Sequence, residues 1–431
     1  MPFVRNAVAF RHLRSNICWI QLASMVCRSA NFIKLTFFLI LSEHWSSIAK
    51  VVYVHVLFRH GERTPLATYP NDAYQENAWP NGFGQLTKIT AFVLKKGCEQ
   101  QYELGLQLRQ RYGDLLSERY VASEIYVLAS DHDRTINSAT CALAGLFPQS
   151  NGEACNKGLL LHPVPVHTTC RGNDLVSEIM EIGFWRLLCE VELFRGDSIC
   201  PAVKARKVDQ SSSNESLIPK KYEEMFVQLQ QLTGWNPMTL KRMSRLADTL
   251  LLEKEAGMQI PQWATDQWMD AEENRTMPFL DVATKLRWYW QSIQVDSDEK
   301  VASISGFLVD NIVRKLERKV LHPLKKPTKM RLYAMHDKNM RSLLCSLGSC
   351  SIENPPFSSC IAIELHEKAH GEFAVEIFYR NSTGAFQPVF IGPCESFVCN
   401  VEEFKRSLAH LTLRDGIEIR QACYRNKSSE C

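Results

Sequence analysis

The chain lacks most of the devices by which proteins of its size hold nucleotides, metals or membranes. No Gly-x-x-x-x-Gly-Lys loop occurs, which removes the backbone phosphate cradle of many nucleotide hydrolases. Cysteines and histidines nowhere fall at zinc-type spacing, so neither a metal nor another cofactor is expected. Formal net charge is only +3 over 431 residues, with the basic residues spread along the chain. That excludes a nucleic-acid arm and an acidic tail. Internal repeats and low-complexity tracts are missing too. The one loop-like polar cluster, Asp209 to Ser216, reads as a surface connection. No apolar run reaches the roughly 20 residues needed to cross a bilayer, so no stable membrane span is expected.

Acidic residues are absent from the first 42 positions, which hold five basic ones. An apolar core, Leu35 to Leu41, follows Lys34, and Ser47-Ile48-Ala49 offers the small residues of a signal peptidase site. Residues 1–49 therefore read as a signal peptide or leader, with Lys50 opening the mature chain. Met25 is an alternative start, and an acid-free, Arg-bearing leader also fits a mitochondrial transit peptide. Acceptor sequons begin at Asn214, Asn274, Asn381 and Asn426, and 13 of the 15 cysteines lie beyond residue 50. Together these favour an oxidising, secretory compartment, so the expected location is secreted or lysosomal and lumenal. Cys394 and Cys399, beside Pro393, are the first expected disulfide. An odd cysteine total leaves at least one thiol unpaired.

What the chain does have is concentrated in seven residues, Arg59-His60-Gly61-Glu62-Arg63-Thr64-Pro65. They follow Val51 to Phe58, a β-branched and aromatic run that reads as a buried strand. Gly61 and Pro65 then turn the chain. Open α/β sheets bind ligands beyond the carboxyl ends of their strands, so these side chains stand where a site is expected. An imidazole flanked by two guanidinium groups suits an anion, because planar forks match phosphoryl oxygens. His60 is read as a nucleophile for phosphorus, and Arg59 and Arg63 as a phosphate clamp.

Two further strand-like runs end in chemically useful residues. Lys329 to Met335 leads into His336-Asp337, which suggests a general acid, Asp337, and a donor to phosphate oxygens, His336. Glu124 to Leu128 leads into Ser130-Asp131-His132-Asp133-Arg134-Thr135. Arg134 would complete a three-arginine cage, while Asp131 or Asp133 would cap the following helix.

The string RHGERTP, the downstream DRT and the distant HD resemble the histidine acid phosphatase family, two-domain histidine phosphatases. Pro80 to Thr87, Gln101 to Gly105, Phe378 to Asn381 and Cys394 with Cys399 extend the likeness, from about residue 51 to about residue 425. The resemblance implies hydrolysis of phosphate monoesters through a phosphohistidine intermediate, without a metal. By motif, His60 takes the nucleophile's place and Asp337 the proton donor's. Arg59, Arg63, Arg134 and His336 take the phosphate-binding places. It also implies a Cys200–Cys423 disulfide, a pairing at Cys360 whose partner is not visible near residue 250, and a homodimer. No hydrophobic stretch follows residue 400, so the membrane tail of lysosomal relatives is not expected.

The expected fold is α/β: a large domain with a mostly parallel central sheet flanked by helices, phosphoglycerate mutase-like, plus a smaller α-helical cap. Residues 50–170 and 321–431 are assigned to the sheet domain and 171–320 to the cap. Tyr102 to Tyr120 and Arg134 to Leu146 read as helices, Pro163 to His167 as a strand. Leu240, Leu246 and Leu250 stand at helical spacing inside the cap, and Trp288 and Trp290 read as packing residues rather than substrate contacts. Ile361 to Leu365 and Phe373 to Tyr379 alternate as a hairpin around His370-Gly371.

Two departures from the family pattern stand out. Ile89 to Lys96 looks inserted, and eight helical residues would rotate the downstream face by roughly 80°, so the segment either loops out or is a splice or gene-model error. Lys338-Asn339 replaces two threonines, adding a cation beside Asp337 that would lower its pKa. Two other functions remain open: a narrower phosphatase for inositol phosphates or lysophospholipid, and a phosphate-binding pseudoenzyme disabled by the insertion.

Overall fold

A computed structural model describes residues 50–87, 96–148, 163–168, 220–323, 327–350 and 354–412. In chain order its main elements are β1 (Lys50–Arg59), α1 (Lys96–Tyr112), β2 (Ile125–Ala129), α2 (Asp133–Leu146) and β3 (His167–Thr168). After these come α3 (Glu223–Thr233), α4 (Leu240–Glu255), β4 (Gln267–Asp270), β5 (Arg275–Pro278), α5 (Phe279–Ser292) and α6 (Asp298–Leu321). The chain continues with β6 (Met330–Met335), α7 (Asp337–Ser346), β7 (Cys360–Glu367), β8 (Phe373–Arg380), β9 (Gln387–Pro388), β10 (Val398–Asn400) and α8 (Val401–Ser407).

The main sheet runs in the order β10-β8-β7-β1-β6-β2-β3, with β9 on β8. Its centre is parallel, because β1 and β2 both pair with β6 in that sense and β3 pairs likewise with β2. β10 and β9 run antiparallel to β8, so the sheet is mixed. The continuous apolar run of β1 serves both faces in turn, because successive side chains point to opposite sides of the sheet. Val54, Val56 and Phe58 join Leu104 and Leu108 of α1 and Ala139, Ala142 and Leu143 of α2 in one core. Tyr53 and Leu57 join Leu308 and Ile312 of α6, Leu343 and Leu344 of α7 and Phe404 of α8 in a second. Helices thus cover both faces, as a parallel centre requires.

A third core gathers Leu229, Leu240, Leu246, Leu250, Phe279 and Leu286 from α3, α4 and α5, with Trp290 packed against it. The helical spacing of the α4 leucines is therefore a buried stripe. Within this helical stretch β4 and β5 form an antiparallel ribbon that the pattern did not suggest. Helix α1 starts at Lys96 and ends at Tyr112, earlier at both ends than expected, and Gly113 follows at its end. The strand expected from Pro163 is confined to His167–Thr168. The expected hairpin of β7 and β8 is present as sheet neighbours.

The described residues of 51–366 and 373–412 group as one compact unit, while Lys50 and 367–372 group as another. In the latter, the Lys368 N–H donates to the Glu372 carbonyl at 2.7 Å. Among the described residues, no helix is long and apolar enough to cross a membrane. The leader, Cys200, Cys423, Asn214 and Asn426 lie outside the described residues. Asn274 and Asn381 are exposed. Cys394 and Cys399 are bonded as expected, and two unexpected bridges join Cys98 to Cys141 and Cys345 to Cys350. Cys360 is a free thiol, which burial pushes up to about 12.

Candidate active site

The site follows from strand register. Arg59 of β1 stands opposite Met335 of β6, and Ala129 of β2 opposite Ala334, so three strands end together. The next residues stay tied across the sheet edge: the His60 N–H donates to the Met335 carbonyl at 3.0 Å, and the Ser130 N–H to the Ala334 carbonyl at 3.1 Å. Position beyond the strand ends therefore brings His60, His336, Asp337 and Arg134 together, as the sequence suggested.

The loop after β1 is braced from α1 and α2. Gln101 Nε2 donates to the Arg59 carbonyl at 2.9 Å, and the Gly61 N–H donates to Ser138 Oγ at 3.0 Å. A Cβ on Gly61 would sit 2.2 Å from the Gly97 carbonyl oxygen, so only glycine fits where α1 meets the loop. At the start of α1 the Gly97 N–H donates to Thr87 Oγ1 at 2.8 Å. The two flanks of the extra segment are thus joined at one point. Of that segment, 89–95 lies outside the described residues.

Tautomers follow from the partners. His60 Nδ1 lies 2.8 Å from the Gly61 carbonyl, which can only accept, so Nδ1 carries the proton and Nε2 keeps its lone pair. His336 Nδ1 lies 3.4 Å from Arg134 Nη2, which can only donate, so the His336 proton is on Nε2, 2.9 Å from Ser130 Oγ. The two rings meet edge to face at 5.4 Å. Burial pushes the His60 pKa well below its ordinary value, with Arg59, His336, Arg134 and Arg63 acting in the same direction. Burial and Arg134 do the same to His336. Both imidazoles are therefore neutral even in mild acid.

Arg59 donates to the Pro355 carbonyl at 2.7 Å, stacks on Phe357 at 4.2 Å and approaches Asp337 at 3.2 Å. Burial brings its pKa, and that of Arg134, down to about 10, so both remain charged. Arg59, Arg63 and Arg134 each keep a buried Nε–H without a hydrogen-bond partner, a surplus of donors suited to an anion. Asp337 opens α7, half-buried. Burial alone would raise its pKa, but Arg59, Arg287 and Arg63 outweigh that and hold the carboxyl well below its usual range. The strongest cations on Asp337 are thus arginines. Neither Asp131 nor Asp133 caps α2; the N-cap is His132, without a side-chain cap bond, and Asp133 is the first helical residue.

Two residues had not been singled out. Asp248 of α4 accepts from Arg63 Nη2 at 2.9 Å and pairs with Arg287 Nη2 of α5 at 2.8 Å. Neither carries a local signal, since 185 residues separate Asp248 from Arg63 and only folding joins them. Among the described residues, no group of three or more His, Cys, Asp or Glu side chains is placed to hold a metal ion.

The family model for the histidine phosphatase superfamily, branch 2, matches residues 50–380. The chain belongs to this family. Human lysosomal acid phosphatase is 31% identical over 363 residues, covering 82% of this chain and 76% of that protein. Human prostatic acid phosphatase is 32% identical over 391 residues, covering 89% and 90%. Among solved structures, the apo form of Hafnia alvei phytase matches with a TM-score of 0.55 at 16% identity, over 84% of this chain and 97% of that one. That likeness bears on the fold, which is the expected histidine phosphatase α/β architecture.

Proposed function

We propose that this histidine phosphatase hydrolyses phosphate monoesters at acid pH, with His60 as nucleophile and Asp337 as proton donor. The observation that carries the reading is the His60 ring: its Nδ1–H is committed to the Gly61 carbonyl, leaving Nε2 unprotonated in a cage of arginines. In the first transfer the Nε2 lone pair forms the N–P bond, the bond from phosphorus to the ester oxygen breaks, and the Asp337 carboxyl proton goes to the leaving alcohol. In the second, water attacks phosphorus, the N–P bond breaks back to the imidazole, and the Asp337 carboxylate takes the water proton. Arg59, Arg63 and Arg134 hold the equatorial oxygens, where the transition-state charge resides. Neutral His336, its one N–H on Ser130, accepts from Arg134 and so orients that guanidinium rather than donating to phosphate as expected.

The depressed His60 pKa keeps the nucleophile competent in mild acid. Asp337 is ionised in the free site, yet an arriving phosphate dianion competes for Arg59 and raises the carboxyl's proton affinity. Substrate thereby arms its own acid. The names of the lysosomal and prostatic relatives, together with the disulfides, support a lumenal or secreted site of action. A narrower taste for inositol phosphates has only the phytase fold likeness behind it. Loss of function through the extra segment fits poorly with a brace between Thr87 and Gly97 that is intact.

The test is a quenched turnover mixture with p-nitrophenyl phosphate at pH 5. An acid-labile, base-stable phosphoryl adduct is expected on His60, with none on His60→Ala. An active preparation without that adduct would overturn the mechanism.

A further inference from the structure

Asp248 is almost wholly buried, and its two oxygens are committed to two different guanidinium groups. Oδ2 accepts from Arg63 Nη2 at 2.9 Å, and Oδ1 pairs with Arg287 Nη2 at 2.8 Å. The other fork nitrogen of Arg63, Nη1, donates to the Thr64 carbonyl at 3.1 Å. Loop and helix α4 therefore fix the plane of the Arg63 guanidinium between them. Such an anchor carries a cost, because a carboxylate beside a phosphate-binding arginine repels the dianion that the arginine is to bind. Arg287 offsets it by sharing the same carboxylate through the second oxygen.

The charge count supports this. Arg59, Arg63, Arg134 and Arg287 supply four positive charges, Asp248 and Asp337 two negative ones, and both imidazoles are neutral. In the free site, before Asp337 takes up the proton it donates, four less two leaves a net charge of two, which matches the doubly ionised phosphoryl group that arrives. A singly charged diester or sulfate ester would leave one buried positive charge uncompensated, which is costly.

We propose that Asp248 is a positioning residue for Arg63 and Arg287 its counter-cation, so that the site combines an oriented clamp with the charge that selects dianionic monoesters. The inference rests on the phosphomonoesterase reading above and deepens it.

A double-mutant cycle separates the roles. Binding of inorganic phosphate at pH 7.5 is measured by titration calorimetry, and kcat and KM on p-nitrophenyl phosphate at pH 5. Arg287→Gln leaves the Asp248 charge unshared and is expected to weaken phosphate binding about tenfold, the scale of one partly screened charge pair. Adding Asp248→Asn removes that charge and should recover most of the affinity. Both variants carrying Asp248→Asn should still show a lowered kcat, because Arg63 is no longer held. If Arg287→Gln does not fold, Arg287→Lys serves in its place, with a loss of about threefold and the same rescue. A double variant that binds phosphate no better than the Arg287 variant alone would overturn the counter-cation role. A wild-type kcat in Asp248→Asn would overturn the positioning role. A wild-type chain that neither binds phosphate nor turns over ester would instead defeat the phosphomonoesterase reading itself.

Discussion

At the scale of single residues, Asp337 shows how an environment can hold an acid in the wrong state until substrate arrives. Its carboxyl is pulled down by Arg59 at 3.2 Å and by Arg287 and Arg63, although burial alone would push it up. A proton donor in such a place must regain its proton when the arginines turn to phosphate. Leaving groups then separate proton donation from mere charge. An alkoxide leaves poorly without a proton, whereas p-nitrophenolate leaves readily. Asp337→Asn should therefore lower kcat/KM on glycerol 2-phosphate by about 100- to 10,000-fold, the usual range for a lost general acid. The value for p-nitrophenyl phosphate, which reports the first transfer alone, should fall far less. Equal losses on both esters would remove Asp337 from the donor's role. His60, Arg59, Arg63 and Asp337 were legible in the sequence because each stands at the end of a strand or within four residues beyond it. Asp248 and Arg287 were not, since a helical Asp or Arg looks like any solvated charge until the fold places it.

At the scale of elements, helices α1 and α2 cross in close backbone contact. A Cβ on Gly105 would lie 2.0 Å from the Ala142 carbonyl oxygen, and one on Gly145 would lie 2.1 Å from the Tyr102 carbonyl oxygen. Both contacts are backbone, which cannot rotate away, so the two helices approach only through facing glycines. The Cys98–Cys141 disulfide ties the same pair. Because α1 also braces Arg59 and Gly61, the crossing sets the height of the catalytic loop. Gly145→Ala should destabilise the protein by about 1–3 kcal/mol, as overpacking generally does, read as a lower denaturant midpoint at unchanged slope. A midpoint equal to wild type would show that the helices part without cost. Periodicity and β-branched runs were enough to find β1, β2, β6 and α2, since those patterns are local. The Cys98–Cys141 bridge was hidden because pairing depends on helix packing. Cys345–Cys350 was less hidden, having the same spacing as Cys394–Cys399. The β4–β5 ribbon escaped because its strands are four residues each inside a helical stretch.

At the scale of the whole molecule, buried titratable groups oppose one another across the pH range. His55 sits in the sheet with neither ring nitrogen hydrogen-bonded, and burial holds it, like His60 and His336, well below the ordinary value of 6.5. Below that value the unfolded chain takes up protons that the folded one refuses, so these three histidines erode stability as pH falls. Glu253 of α4 acts in the other direction. It is fully buried, and burial followed by the neighbouring Asp72 carboxyl pushes its pKa from 4.5 to about 9. Between those values the folded chain keeps a proton that the unfolded chain loses, so stability falls as pH rises from 4.5 toward 9. The two effects leave the most stable interval in mild acid, where the proposed chemistry also runs. Glu253→Gln removes the alkaline half of this balance, because an amide occupies the same volume, can donate to Asp72 and does not titrate. The variant should match wild type at pH 5 and exceed it at pH 8 on the order of a few kcal/mol, seen as a Tm several degrees higher. Thermal scans of both proteins that run parallel from pH 5 to pH 8 would mean that Glu253 is ionised in the fold and that its burial is relieved by some other contact.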